Sequence, residues 1–383
     1  MVQLNTPWRA VAAAFALNGV LLGSWAGRIP AFVDRLGLDE RGLGILLLFM
    51  GGGALLSFPL AGRLSDHFGA ALVTRWLAVV YLLSILLVGL SWSPLALTVA
   101  LFVFGMCHGA MDVTMNSWGS EVERHLGRSV MSSFHAMWSL GAGLGVAGGY
   151  VATTAGLGVA LHFCLAALIT GGVLGPFLRL PWVSPIRRAQ GGGQMFSLPR
   201  GALVLVGLIA MAAGLGEGAA VDWSAVFLRD VLGAADSRAT LGYAAFSMTM
   251  VAMRLTIDRV ILRIGPVRVA RIGGALAAAG YGLCALTTQL SLAVLGFVLI
   301  GMGLAAMTPM AFSRAANDPQ IPPGQAIASV ATLGYGAMLL GPPAIGFIAQ
   351  LTSLRVSFAL VGCCALLAAA LAGALRPGAD GMR

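Results

Sequence analysis

Apolar runs of about 20 residues, separated by short polar stretches, follow one another along the whole chain of 383 residues. A run of this length is what a helix needs to cross a bilayer. Only 10% of the residues are charged, whereas soluble domains carry about 25%. Lipid offers the backbone no hydrogen-bond partners, so each run must pair its own N–H and C=O groups, which selects helices. We therefore predict an all-α polytopic membrane protein.

The apolar runs and the turn signals between them predict twelve transmembrane helices. Their predicted ranges are 9–31, 42–62, 70–91, 94–118, 129–152, 156–178, 201–225, 239–260, 267–287, 290–313, 325–350 and 354–376. With the N-terminus inside the cell, 17 of the 23 basic residues, all of them arginine, lie on or near the cytoplasmic side. The positive-inside rule then predicts that both termini are cytoplasmic. The location that we expect is a bacterial inner (plasma) membrane.

A polar stretch rich in proline and glycine, residues 179–200, separates the predicted helices into two groups of six. An offset of 196 residues relates the two groups, and it aligns Gly37 with Gly233, Gly69 with Gly265, Ser133 with Ser329, and Gly145 with Gly341. Repeats of this kind are typical of transporters with a central site. We predict an N-terminal six-helix bundle at 1–178, a cytoplasmic linker at 179–200 and a C-terminal six-helix bundle at 201–383.

The basic residues exclude several classes of function. Since none is lysine, the chain cannot form a P-loop that binds ATP or a Schiff base. The arginines are spread over short loops, which is not the pattern of a nucleic-acid-binding surface. The five cysteines lie in apolar runs without metal-ligand spacing. We expect a protein that is not an enzyme, a monomer with no metal, no cofactor and no nucleic-acid partner. Its expected partners are the bilayer, protons and a small-molecule substrate.

Asp112, inside the predicted helix 94–118, is the acidic residue that most needs an explanation. A carboxylate at that depth costs roughly 2.5–3.5 kcal/mol on insertion scales. The surrounding stretch recurs at residues 301–308, where Thr308 takes the place of the acid. Asp112 is therefore a candidate for loading and releasing a proton, or a structural acid bonded to Asn116. His108, one turn before it, either relays protons or donates to Asp112.

Charged residues near other predicted helices are candidates for coupling and gating. Glu217 lies well inside the seventh predicted helix, where it would bind substrate or take part in coupling. Arg28, at the outer end of the first, would pair with Glu217 or Asp222 in an outer gate, or extend to the membrane interface. Asp222 is also a candidate for a cap. Arg254 and Asp258, one turn apart, would form a latch or a simple surface pair.

The stretch Gly62-Arg63-Leu64-Ser65-Asp66-His67-Phe68-Gly69 lies between the second and third predicted helices. It resembles the loop signature of the major facilitator superfamily, Gly-x-Leu-x-Asp-x-x-Gly. The resemblance implies two six-helix bundles that work by alternating access. It also implies that Asp66 holds the N-terminal end of the eleventh helix, where negative charge is favoured, and locks a cytoplasmic gate. The alternative for Asp66 is an ordinary solvated loop acid. In the second half Leu262 stands at the matching position.

A narrower resemblance is to the fucose permease branch and to rhizopine-transport-like proteins. Helix four of that branch carries a carboxylate followed four residues later by asparagine, which are here Asp112 and Asn116. Its helix five carries sugar-contacting polar residues, and those positions are here His135 and Trp138, a departure from the sugar pattern. Further candidates for substrate contact, from their positions and side chains, are Asn18, Trp25, Glu217 and Tyr335.

These observations favour a secondary active transporter that couples protons to the symport of a small polar solute, such as a sugar, polyol or inositol-like compound. The alternative is proton-driven efflux of drugs or amphiphilic metabolites. Exporters of the superfamily often carry proline directly after a Gly-x-x-x-Gly run in helix five. Here Val146 follows Gly145, and this departure from the exporter pattern makes export the less favoured hypothesis.

Overall fold

The computed structural model describes residues 6–38, 40–186, 199–234, 238 and 241–376. The middle of the predicted linker, residues 187–198, lies outside the described residues. In the described part, all regular structure is helical. The α-helices are α1 (Pro7–Ala26), α2 (Ile29–Leu36), α3 (Glu40–Phe68), α4 (Ala70–Gly89), α5 (Pro94–Leu126), α6 (Met131–Thr154), α7 (Val159–Leu178), α8 (Ala202–Val226), α9 (Leu241–Ile264), α10 (Pro266–Leu286), α11 (Leu290–Leu304), α12 (Met307–Ala316), α13 (Pro323–Leu351) and α14 (Leu354–Leu371). A π-helical turn (Phe227–Val231) follows α8, and a 3₁₀ turn (Ala372–Leu375) follows α14.

Each of the twelve predicted transmembrane helices corresponds to one of these helices or to a consecutive pair. In the described part of the chain, ten helical segments are long and apolar enough to cross a membrane. The helices α6 and α9 are not among them, although each has 24 residues and extends about 36 Å. Polar residues lower their hydropathy, among them His135 in α6 and Arg254, Asp258, Arg259 and Arg263 in α9. The all-α membrane fold predicted from the sequence is thus observed.

Several predicted helix ends are wrong, always because a helix continues past its apolar part or breaks within it. The second helix continues beyond residue 62 to Phe68, so Asp66 lies in the last turn of α3 rather than in a loop. The fourth continues beyond residue 118 to Leu126. The predicted helix 290–313 is instead the pair α11 and α12. The predicted helix 9–31 ends at Ala26, and α2 begins at Ile29.

Local sequence signals explain where several helices begin. Prolines that occupy the first helical position, where no N–H is needed, begin α1, α5 and α10. The hydroxyl groups of Thr6, Ser93 and Ser353 accept hydrogen bonds from backbone N–H groups in the first turns of α1, α5 and α14. Each of these caps satisfies an N–H group that the helix itself leaves without an acceptor.

The 196-residue repeat is visible in the backbone. Gly37 and Gly233 have φ angles of 60° and 68°, and Gly69 and Gly265 have φ angles of 90° and 81°. These angles lie in a region that residues with a Cβ rarely adopt, which explains why glycine stands at both members of each pair. Gly69 and Gly265 are the single residues that separate α3 from α4 and α9 from α10. The two halves therefore share their turns as well as their helices.

The chain forms two compact units. The first contains Met1–Ser197 and Gln320–Ala328, and the second contains Leu198–Pro319 and Ser329–Arg383. Within the first unit, α3 packs on α5, α4 packs on α5 and α7, and α1 packs on α7. Within the second unit, the matching helices form the same pairs: α9 with α11, α10 with α11 and α14, and α8 with α14. The repeat thus extends to helix packing inside each unit.

Small residues let α1 and α6 approach closely. Gly141 and Gly145 of α6 face backbone carbonyls of α1, and a Cβ at Gly145 would overlap the Val20 oxygen and lie 2.6 Å from the Ser24 nitrogen. Gly143, on the same helix, has nothing within 4 Å of its Cβ position. Gly19 and Gly23 of α1 face the backbone of α6 in the same way, so the close contact depends on glycines of both helices but not on Gly143.

Replacing Gly145 with alanine should destabilise the protein by about 1–3 kcal/mol, because backbone atoms on both sides must move to admit the Cβ. Gly143→Ala is the matched control and should be neutral or stabilising by up to about 1 kcal/mol, since alanine favours the helix. Thermal unfolding of the two detergent-purified variants measures the difference. Equal unfolding temperatures would show that the contact between α1 and α6 can relax.

Candidate functional site

Six of the residues singled out in the sequence lie in connected polar contacts inside the first unit. They are Asn18 on α1, His108, Asp112 and Asn116 on α5, and His135 and Trp138 on α6. All but Trp138, which is half-buried, are buried, and Asp112 is only 4% exposed. The helical spacing of α5 places its three residues one turn apart on one face, which α1 and α6 approach.

The contacts around Asp112 have a fixed direction. Asn116 Nδ2 donates to the Asp112 carbonyl oxygen at 2.9 Å and to Asp112 Oδ1 at 3.3 Å. A backbone carbonyl only accepts, so this contact assigns the nitrogen of the Asn116 amide. The Asn116 oxygen then faces His135 Nε2 at 3.1 Å, and Nε2 must carry the hydrogen. Donors therefore point from His135 through Asn116 toward the Asp112 carboxyl group.

A second set of contacts joins α1 to α5 and α6. Trp138 Nε1 donates to Asn18 Oδ1 at 2.8 Å, and Asn18 Nδ2 donates to the His108 carbonyl oxygen at 3.3 Å. Because an indole N–H only donates and a carbonyl only accepts, the orientation of the Asn18 amide is also determined. Asn18 therefore connects α6 to the turn of α5 that precedes Asp112.

Tyr81 on α4 was missed by the sequence analysis. Its hydroxyl group lies 3.1 Å from His108 Nδ1, and the Tyr81 side chain is fully buried. A tyrosine in the middle of an apolar run was the available signal, because a buried phenol usually needs a polar partner. The contact with Tyr81 thus holds the His108 ring through Nδ1, while Asn18 binds the His108 backbone.

The second unit contains a buried ion pair. Arg254 Nη2 lies 3.1 and 3.2 Å from the two Glu217 carboxylate oxygens, and the side chains of Arg254 and Glu217 are 6% and 24% exposed. Arg254 Nε donates to the Ala305 carbonyl oxygen at 3.3 Å. Arg254 was expected in a latch or in a surface pair with Asp258. Glu217 was expected to bind substrate or to take part in coupling, and Arg28 to pair with Glu217 or Asp222. The structure joins Arg254 and Glu217 to each other.

Pro309 explains why the Ala305 carbonyl is available to Arg254. Proline has no N–H and clashes with the carbonyl four residues before it, which here is that of Ala305. The break between α11 and α12 falls at residues 305 and 306. In the first half, Val113 stands at the matching position and α5 continues without a break. The difference between the halves therefore follows from one proline.

Other predicted site residues lie apart from these two clusters. Arg28 donates to Thr153 Oγ1 at 3.0 Å and to the Leu157 carbonyl at 2.8 Å, so its partners are neutral groups of the first unit rather than the predicted acids. Trp25 is 1% exposed and packs on Phe32, so its ring offers no open stacking face.

The remaining candidates are all in the second unit. Asp222 is exposed on α8, Asp258 is buried on α9 and Tyr335 is half-buried on α13. Asp222 has no hydrogen bond or ion pair with the residues of the two clusters described above. The predicted parts of these three residues in gating and in substrate contact stay predictions.

Asp66 supplies a cap to a helix that has none of its own. The Ala326 N–H bonds to the Pro322 carbonyl, which makes Pro322 the N-cap residue of α13, and proline has no side-chain acceptor. The Asp66 carboxylate accepts from the backbone N–H groups of Gly324 at 2.9 Å and Gln325 at 3.1 Å. These are the second and third residues of α13, the positions that an N-cap side chain serves. The predicted contact of Asp66 with this helix end is therefore observed within the first unit.

Removal of the Asp66 carboxylate should leave the N–H groups of Gly324 and Gln325 without their acceptor. We expect Asp66→Ala to lower the free energy of unfolding by about 0.5–2 kcal/mol, the usual cost of losing a cap. Asp66→Asn, which keeps one acceptor oxygen, should lose less. Asp34→Ala, on the exposed face of α2, serves as a control for loss of an acid. Equal stability of Asp66→Ala and Asp34→Ala would contradict the capping role.

Comparisons with known proteins identify the family. The family model described as "Major Facilitator Superfamily" matches residues 2–146. An uncharacterized MFS-type transporter of Yersinia pestis is 37% identical over 95% of this chain and 93% of its own length. The chain belongs to the major facilitator superfamily. The uncharacterized transporter y4wD of Sinorhizobium fredii is 54% identical over 98% of this chain and 100% of its own length. The membrane protein MosC of Rhizobium meliloti is 30% identical over 90% and 84%.

Solved structures share the fold of this major facilitator chain. The Escherichia coli fucose:proton symporter FucP superposes with a TM-score of 0.78 at 13% sequence identity, covering 97% of this chain and 99% of that chain. The human organic anion transporter MFSD10 superposes with a TM-score of 0.77 at 18% identity, covering 96% and 99%. At such identities the likeness concerns the fold alone. The chain is thus a multi-pass membrane transporter and not an enzyme, as the sequence indicated.

Proposed function

We propose that this chain couples protons to the symport of a small polar solute, of the sugar, polyol or inositol class, by alternating access. The observation that carries the proposal is the buried chain of hydrogen bonds from His135 through Asn116 to Asp112. A carboxyl group inside a membrane protein is costly and in transporters commonly marks a proton pathway. Here the carboxyl group stands among neutral hydrogen-bonding side chains.

The chemistry around Asp112 fits a neutral, hydroxyl-rich solute. Asn18, Asn116, His135 and Trp138 together present amide, imidazole and indole groups, which donate and accept hydrogen bonds without a fixed charge. Polar groups of this kind fix the orientation of a small ligand. FucP, which shares the fold, is a fucose:proton symporter, and this supports the same class of solute and the same coupling ion.

The direction of the hydrogen bonds limits the route of the proton. An amide group donates and accepts hydrogen bonds but does not pass a proton on at neutral pH, and Asn116 separates His135 from Asp112. In the proposed cycle Asp112 therefore gains and loses its proton without passing it through His135. His135 acts as a donor that holds the Asn116 amide, and the amide orients the carboxyl group.

Gating and orientation complete the proposal. Asp66, through its hydrogen bonds to the first turn of α13, would hold a cytoplasmic gate, and Glu217 with Arg254 would respond to substrate or to the proton. Since the relatives compared above include bacterial proteins, we propose an inner-membrane location with both termini in the cytoplasm.

Thermal unfolding of the detergent-purified protein tests the substrate class. The compounds are fucose, xylose, myo-inositol and mannitol, with tetraphenylphosphonium as a lipophilic cation. A ligand at 100 times its dissociation constant stabilises the folded state by about 2.7 kcal/mol. Stabilisation by one of the sugars or polyols, reduced in Asn116→Leu, supports the proposal. Stabilisation by tetraphenylphosphonium alone would favour export of amphiphiles instead.

Two substitutions at His135 separate a donor from a proton carrier. Glutamine retains an N–H group that can donate to Asn116, so His135→Gln should keep most of the accumulation of the sugar or polyol that stabilises the wild type. His135→Leu leaves a buried acceptor without its donor, at a cost of about 1–3 kcal/mol, and should reduce the rate of accumulation roughly 5- to 100-fold. Uptake into proteoliposomes under an inward proton gradient measures both. Equal loss in the two variants would favour a relay through the imidazole.

A further inference from the structure

The junction between α1 and α2 buries an arginine whose described partners carry no charge. Arg28 is 5% exposed, and it donates to the Thr153 hydroxyl group and to the Leu157 carbonyl. The Thr153 hydroxyl group itself donates to the Gly149 carbonyl at 2.8 Å, so it is neutral and only accepts from Arg28. Ion pairs of the described residues include Arg229 with Asp230, Arg254 with Glu217, and Arg314 with Asp318, and Arg28 forms none of them. Within the described part of the chain, Arg28 therefore has no counter-ion.

Two nitrogen atoms at this junction have no hydrogen-bond partner among the described residues. They are Arg28 Nε and His162 Nδ1, both fully buried from solvent. His162 is 6% exposed and lies in the first turn of α7, where its backbone N–H bonds to the carbonyl of Gly158, the residue next to the Leu157 that Arg28 binds. A buried polar group normally finds a partner, and a buried charge even more so. The two orphaned nitrogens indicate that a small ligand belongs here.

The N-terminus of α7 adjoins the same place. Gly158 is the N-cap residue of α7 and supplies no side-chain acceptor, while the carbonyl of the preceding Leu157 is the one that Arg28 binds. The matching helix α14 begins with Ser353, whose hydroxyl group accepts from the Val356 N–H at 3.3 Å. The N-cap residue of α7 thus provides no side-chain acceptor for the first N–H groups of the helix, and N–H groups at helix N-termini commonly bind anions.

The repeat shows that these features are particular to the first half. At the 196-residue offset, Ser224 stands in place of Arg28 and Phe358 in place of His162. Arginine, histidine and the helix end without a side-chain cap therefore occur together at one place and are all absent from its counterpart. Packing requirements shared by the two halves do not explain the three features, since the second half packs without them.

We propose that Arg28, His162 and the N-terminus of α7 bind a small inorganic anion, with chloride as its cellular form. The Arg28 Nε–H and a hydrogen on His162 Nδ1 would donate to the ion, and the N–H groups of α7 would add the favourable end of a helix dipole. The bound ion neutralises the buried guanidinium group and fastens the junction of α1 and α2 to the connection between α6 and α7. The site is separate from the cluster around Asp112 and does not depend on the proposed substrate.

The test measures thermal unfolding of the full-length, detergent-purified protein in sodium chloride and in sodium gluconate at equal ionic strength. We expect chloride to raise the unfolding temperature by about 2–5 °C along a saturating curve, and bromide to act likewise. Arg28→Gln and His162→Phe should both abolish the rise. The second variant introduces the residue that the other half already carries, so it should fold even if the first does not.

Arg35→Gln is the matched control, since Arg35 is on the neighbouring α2, donates to the Ser91 carbonyl and lies over the Phe32 ring. Its response to chloride should equal that of the wild type. Equal unfolding temperatures in chloride and gluconate would overturn the proposal. A rise that never saturates, or one that persists in His162→Phe, would also overturn it, because either result indicates a general effect of salt.

Discussion

Replacing Asp112 with asparagine is expected to abolish accumulation of the substrate against its gradient and to spare counterflow. Asparagine has nearly the same size and keeps an acceptor oxygen for Asn116, so the packing of α5 against α1 and α6 should survive. It cannot bind and release a proton. The variant should therefore still exchange labelled for unlabelled solute but should no longer use the proton gradient.

The size of this effect follows from the gradient. One pH unit across the membrane stores about 1.4 kcal/mol per proton, which supports about tenfold accumulation of a neutral solute when one proton moves with it. Wild-type proteoliposomes should approach that ratio, and Asp112→Asn should remain at equilibrium, with equal concentrations on both sides. The measurement is uptake of the sugar or polyol that stabilises the purified protein.

Two controls make the result specific. Asp34→Asn removes an exposed carboxylate of α2 and should accumulate substrate like the wild type. Counterflow of labelled against unlabelled solute, measured without a proton gradient, shows whether Asp112→Asn still binds and moves the solute. Intact accumulation in Asp112→Asn would refute the role of Asp112 as proton carrier, and loss of both activities would assign Asp112 to the structure of the site instead.

The sequence predicted much of the first-unit cluster because helical spacing decides it. Asp112 and Asn116 are four residues apart, which places them on one face wherever α5 lies. His135 and Trp138 came from the resemblance to the fucose permease branch, and the structure brings His135 to Asn116 of α5 and Trp138 to Asn18 of α1. Tyr81 could not be assigned in this way, because its partner His108 lies on another helix and no local pattern indicates which helices meet.

The ion pair of the second unit shows a different limit of sequence reasoning. Arg254 and Asp258 are one turn apart, and local spacing therefore suggested a pair. Spacing along one helix does not indicate Glu217, a partner of Arg254 that lies on another helix, 37 residues away. A proline such as Pro309 leaves the carbonyl four residues before it without a helical partner, but only the fold reveals that Arg254 occupies that carbonyl.

The helix bounds show where apolar patterns stop being informative. Apolar runs and the turn signals between them located twelve helices, two of which the structure divides into pairs. The ends of α3 and α5 were placed too early because these helices continue as polar helices beyond their apolar parts. Asp66 consequently seemed to lie in a loop, although the last turn of α3 holds it against the start of α13.

The buried pair of Arg254 and Glu217 should show the largest stability effect in the second unit. Removing one partner of a fully buried pair costs roughly 3–5 kcal/mol of unfolding free energy, because the other charge stays buried without a counter-ion. Glu217 is about a quarter exposed, so we expect the lower end of this range for Arg254→Met. Glu217→Leu should cost at least as much, since Arg254 is the more deeply buried of the two.

The double variant decides between an electrostatic and a packing role. An electrostatic role means that each single substitution leaves the other charge buried without its partner. In that case the double variant, Arg254→Met with Glu217→Leu, should regain most of the lost free energy of unfolding, because apolar replacement of a whole buried pair is often nearly neutral. The exposed pair Arg229 and Asp230, with side chains 55% and 50% exposed, is the matched control and should show no measurable coupling in the same cycle. Additive losses in the buried pair would mean that each side chain stabilises through packing. Recovery of stability together with loss of accumulation would instead show that the charges are retained for transport and not for folding.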